Sequence, residues 1–183
     1  LPSWLARLFS RADIEDVLEE TAKNSVSPIS DVADISDIQD SRAWREFLGP
    51  DGHQFTAQSG NLTFGMFMDG INPYGNRQAG KHVSVTFIIM VCLSLPYGLR
   101  YRPENVFLVG IAPGPKEPSL EQTNWILRPL VEQLKSLWSA GTYLSKTYRH
   151  PEGRLIRAAL LPFFADLPAL RRALGFAGHN ARR

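Results

Sequence analysis

Residues 61–183 hold seven acidic side chains, and two of them, Asp69 and Asp166, occupy matching places. Asp69 closes the strand-like run LTFGMFM (62–68) and is followed at once by the turn residues Gly70, Asn72, Pro73, Gly75 and Asn76. Asp166 closes the apolar run RLIRAALLPFFA (154–165) and precedes Leu167-Pro168. If the two strands are neighbours with coincident ends, both carboxylates reach one rim. Adjacent carboxylates repel, so a convergent pair calls for a bound cation. Oxygen-only ligands suit Mg²⁺ or Mn²⁺ held beside substrate phosphates, and such a site activates water or a 3′-hydroxyl against a phosphodiester. Taken singly, each residue has a plainer reading: a turn-former at Asp69 and a helix N-cap at Asp166. Only their pairing lifts the chemical reading.

Other side chains carry weaker signals. Arg77, Lys81, His82 and Lys116 fall on loops where they could meet a phosphate backbone, although scattered charges are usually solvated surface. His53, His82, His150 and His179 show no metal-ligand spacing. A single cysteine, Cys92, excludes an internal disulfide or a Cys-based zinc cage, and its place inside VSVTFIIMVCLSL predicts a buried, inert thiol. Trp125 and Trp138 fall on a predicted helix, which favours core or partner contacts over base stacking.

Length and composition frame these residues. With 183 residues and 44% hydrophobic content, the chain suits a globular domain behind an N-terminal extension. Residues 1–60 carry 5 Lys+Arg against 11 Asp+Glu, net −6, while residues 61–183 carry 15 against 7, net +8. A basic domain behind an acidic leader points mildly to nucleic acid, and equally to a solvated basic surface. The longest apolar run is too short to span a membrane, no signal peptide is evident, and an intracellular place is the default expectation. The chain opens on Leu1 rather than Met, which reads as a processed or excised segment.

The elements that must position the two acids are legible as patterns. Residues 3–10 and 13–22 predict two short helices with Asp13 as an N-cap, 25–41 an extended linker, and 42–47 a short helix. Runs 62–68, 82–95 and 104–112, rich in β-branched and aromatic residues, predict three strands in a meander. Ser119-Leu-Glu-Gln122 is a capping-box pattern opening a helix to about Ala140, with Gly141 at the C′ position and Pro129 as a kink or restart. A fourth strand (154–165) and a helix from Leu167 follow. The order predicts a mixed α/β sheet whose central strands are covered on both faces, split as an extension (1–60) and a core (61–183).

Several blocks resemble transposases of CACTA (En/Spm) type, fungal copies in particular. They are DGINP (69–73), GNRQAGKH (75–82), LRYRPEN (99–105), GPKEP (114–118), LRPLV (127–131), RAAL (157–160) and DLPA (166–169). The leader, from LPSW (1–4) to FLGPDG (47–52), resembles the family too. The resemblance implies a ribonuclease H-like fold, here partial, with an acidic triad on a mixed five-stranded sheet. Asp69 would be the first acid and Asp166 the second, with Mg²⁺ or Mn²⁺ as cofactor. It also implies transposon-end DNA as partner, a nuclear location, and an activity of metal-dependent phosphodiester cleavage and strand transfer. A homo-oligomer is left open. The family continues past GFAGH (175–179) to a fifth strand and a third acid, whereas nothing after Asp166 is acidic here. The expectation is therefore a chain inactive by itself. Two rivals stand beside it: a non-catalytic transposon-derived module that binds nucleic acid or protein, and an unrelated α/β interaction domain whose aspartates merely cap.

Overall fold

The computed structural model describes residues 1–26, 35–72, 84–115 and 117–176. Five strands make one mixed sheet: β1 (Asn61–Ile71), β2 (Val85–Cys92), β3 (Val106–Ala112), β4 (Thr142–Leu144) and β5 (Arg154–Ala165), in the order β3-β2-β1-β5-β4. The meander of β1, β2 and β3 is antiparallel throughout. Helix α5 (Leu120–Ser139) then carries the chain across the sheet, so that β5 returns parallel to β1. The parallel β1–β5 pair is what brings the segments around Asp69 and Asp166 together.

Alternation along the strands decides which face is core. Phe64, Met66 and Met68 of β1 lie in register with Cys92, Met90 and Ile88 of β2, and all six are buried. Leu127, Leu130 and Leu137 of α5 complete this face together with Trp4, Leu5, Leu8 and Phe9 of α1 (Pro2–Phe9). The Trp4 ring meets Phe64 edge-on at 6.0 Å and Phe107 at 5.7 Å. Burying a side chain of this size contributes roughly 1.5–3 kcal/mol, so α1 is tied to the sheet by several such contacts.

Helix α2 (Ala12–Asn24) is held by charge as well as packing. Glu15, fully buried, accepts from Thr147 Oγ1 at 2.8 Å, from the Arg149 backbone N–H at 2.5 Å and from Arg154 at 3.2 Å. Arg154 also donates to Glu19 and Ser59, and Arg149 to Asp16. Acids of the leader thus neutralise arginines of the basic part. A second buried cation, Arg100, bonds the carbonyls of Leu95 and Leu93 and pairs with Asp37 at 2.9 Å.

The helix signals of α5 hold. Ser119 accepts from the Gln122 N–H while Gln122 accepts from the Ser119 N–H, and Gly141 takes the left-handed conformation (φ 77°) after the C-cap. Several expectations need correction. Helix α5 runs unbroken through Pro129, so the proline does not mark a restart. It lies on the exposed face, as does Trp125, whose carbonyl loses its i+4 donor there and faces water. The N-cap of α2 is Arg11 rather than Asp13; Asp13 sits in the first turn, paired with Arg11 at 3.0 Å. Part of the expected linker is structured, since Asp37 caps a 3-10 turn at Ile38–Asp40; residues 27–34 lie outside the described residues. Strand β1 runs two residues beyond Asp69, which pairs with Phe87 rather than terminating the strand. Strand β4 was not expected at all, because three residues are too few to show a period.

Candidate functional site

The register of β1 and β5 defines the candidate rim. Phe67 lies beside Phe164 and Met68 beside Ala165, the last pair of the parallel ladder. The Phe67 and Phe164 rings stack at 4.6 Å with 17° between their planes, on the sheet face opposite α5. Asp69 stands two positions after Phe67 on β1 and so shares its face, while Asp166 follows the last residue of β5, where its carboxylate turns to α6. Both are exposed. The 97 positions between them in sequence therefore reduce to neighbouring strands, with Asp69 two residues before the end of β1 and Asp166 just past the end of β5.

The two acids differ in what holds them. Asp166 Oδ1 accepts from the Ala169 N–H at 2.8 Å, an N-cap contact for α6 (Leu167–Ala173). That contact fixes the side chain and leaves its second oxygen free of hydrogen bonds among the described residues. Asp69 makes no side-chain hydrogen bond among the described residues, and residues 73–83 of the turn that follows it lie outside them. Gly70 next to it leaves little room: a Cβ there would lie 2.8 Å from Ser84 Oγ and 3.5 Å from Glu117 Oε1. The loop before α5 therefore closes against β1 on the other face of the strand.

Of the basic candidates, Arg77, Lys81, His82 and Lys116 all lie outside the described residues. Cys92 is buried, and burial pushes its thiol up to about 12, as expected of an inert core cysteine. The two tryptophans part company. Trp138 packs against Phe47 and Phe55, at 5.6 and 5.1 Å, whereas Trp125 is 70% exposed and does not belong to the core.

Sequence spacing gave no hint of a further cluster, since Glu15, Glu19 and His150 come from distant segments. Their ligand atoms lie within 4.8 Å of one another. The hydrogen bonds already described occupy both Glu15 oxygens, and Arg154 supplies the compensating charge. Burial raises the Glu19 carboxyl, but hydrogen bonds from Ser59 and Arg154 outweigh it and hold the group below its ordinary value. An ion pair that satisfies its own charges has little need of a metal, and we read this cluster as structural.

No helix among the described residues is long and apolar enough to cross a membrane. Neither a curated protein nor a solved structure matches the chain. A family model does: the one described as transposase family tnp2 matches residues 33–182, which is 150 of the 183 residues and includes both aspartates. The chain belongs to the transposase family tnp2.

Proposed function

We propose that the chain forms part of a ribonuclease H-like catalytic core of a CACTA (En/Spm) type DNA transposase, in which Asp69 and Asp166 hold a divalent cation. The observation that carries this reading is the parallel register, with Met68 beside Ala165 and an aspartate next in each strand direction. The donor set fits Mg²⁺ or Mn²⁺: oxygen ligands only, exposed, and few enough for the ion to keep several waters. Such an ion supplies Lewis-acid stabilisation of a phosphodiester oxygen and lowers the pKa of a bound water or hydroxyl. Asp69 offers a carboxylate on a paired strand, where backbone pairing limits its wander. Asp166 offers the oxygen that the α6 cap leaves over, its rotamer already fixed by Ala169. Arg77, Lys81, His82 and Lys116 serve in this reading as sequence-independent phosphate contacts.

One observation favours a second reading. The Asp166–Ala169 contact gives that acid a sufficient structural role, which suits a non-catalytic module that binds DNA or protein. Titration with Mn²⁺, followed by water-proton relaxation, separates the two. On the proposed reading, Asp69→Asn and Asp166→Asn each abolish the same site, although Asn caps a helix as well as Asp and α6 persists. If both variants bind Mn²⁺ as the parent does, the metal reading fails and the binding module stands.

A further inference from the structure

Trp125 stands out among the four tryptophans. Trp4 and Trp44 are buried and Trp138 is packed against two phenylalanines, yet the Trp125 indole is 70% exposed on the outer face of α5. The guanidinium of Arg128, one turn on, lies over the ring 5.8 Å from its centroid. Trp125 also lines an open pocket of about 710 Å³ whose other walls include Pro113, Pro115, Pro118, Gln122 and Ile126. Stiff proline rings, an indole and an isoleucine make a flat, mostly apolar seat of ligand size.

We propose that this pocket seats one unpaired nucleobase of a DNA strand, stacked on Trp125 with Arg128 beside it to meet the adjoining phosphate. The inference rests on the DNA-directed reading above and adds a substrate subsite to it. A purely apolar partner would gain nothing from the guanidinium, whereas a nucleotide offers a π-face for the indole and an anion for the cation. Glu117 also lines the pocket, and the phosphate is placed outside it, beside Arg128. The Trp125 carbonyl, deprived of its helical donor by Pro129, offers a further acceptor at the same spot.

Ala112, in the pocket wall, pairs with Thr86, and Thr86 pairs with Gly70, the neighbour of Asp69. The pocket thus lies at the same end of the sheet as the candidate rim, on the face that carries α5, whereas Asp69 points to the other face.

The test uses the full chain and a short single-stranded oligonucleotide. Trp125 is the solvent-exposed indole, so oligonucleotide binding should quench emission at the red edge of the tryptophan band. Trp125→Ala should weaken binding by about fivefold or more, Trp125→Phe should restore most of it, and Arg128→Ala should also weaken it. An abasic oligomer of the same length and charge should bind no better to the parent than to Trp125→Ala. Equal affinity of abasic and base-bearing oligomers for the parent, or an unchanged Trp125→Ala, overturns the proposal. Mn²⁺ binding measured on the same samples separates the two readings. Quenching without Mn²⁺ binding sinks the metal site alone, and Mn²⁺ binding without base-dependent quenching sinks the base seat alone.

Discussion

Arg154 is the hinge of the strongest stability prediction. It bonds Glu15, which is fully buried, together with Glu19 and Ser59, and its own side chain is only 10% exposed. Arg154→Met keeps most of the aliphatic volume but leaves the Glu15 charge buried with only Thr147 and the Arg149 N–H as partners. Breaking a buried pair in this way costs about 3–5 kcal/mol. For a chain of this length each kcal/mol moves the melting temperature by about 2–4 °C, so a fall of roughly 6–20 °C is expected. Thermal melts by circular dichroism, with urea titration as a check, measure it. Adding Glu15→Gln should recover part of the loss, because the amide removes the stranded charge while still accepting a hydrogen bond. A loss under about 1 kcal/mol, or a double variant equal to the sum of the singles, would refute the claim that this pair clamps α2 to β5.

Further outcomes follow from burial, helix geometry and charge. Cys92 should resist thiol reagents in the native state and react at the rate of unfolding. Its thiol keeps its proton up to about 12 when folded but ordinarily loses it near 9.0, so the unfolded chain binds fewer protons above that pH. Stability should fall as pH rises from about 9 towards 12, by up to ~1.4 kcal/mol per unit, and the slope should lessen in Cys92→Ala. Pro129→Ala should stabilise the chain by about 1–3 kcal/mol in urea titration, since it returns a hydrogen bond to an exposed helix turn; a loss of stability would show that the proline is needed for packing. DNA binding should be weak, sequence-independent and steeply lost between about 50 and 200 mM salt, and the chain by itself should not cleave DNA. Salt-insensitive binding would contradict the electrostatic account. So would cleavage abolished by Asp69→Asn, for the expectation of an inactive chain.

The long elements were readable because their signals are local. Strands β1, β2, β3 and β5 are dense in Val, Ile, Phe and Met, and α5 announces itself with Ser119, Gln122 and Gly141. What escaped depends on neighbours. Trp125 and Trp138 look alike in a helical window; one meets Phe47 and Phe55 from the leader and the other meets water. Asp13 has the right residue type for a cap, yet the extended backbone falls two positions earlier, where Arg11 bonds Asn105 at 2.6 Å. The leader's net charge of −6 was legible, but its partners Arg149 and Arg154, over a hundred positions away, were not. Asp69 and Asp166 were singled out by strand order and by resemblance. Their strand adjacency is a property of the β1–β5 pairing, which no spacing along the chain contains.

The central claim is that Asp69 and Asp166 together hold a metal ion. Crystals of the chain soaked in Mn²⁺, with anomalous diffraction collected near the manganese edge, test it most directly. The account predicts one anomalous peak at ordinary oxygen-ligand distance from a carboxylate oxygen of each aspartate, with the Asp166–Ala169 cap intact. A peak at Glu15, Glu19 and His150 instead, or none between the two strand ends at saturating Mn²⁺, would contradict it.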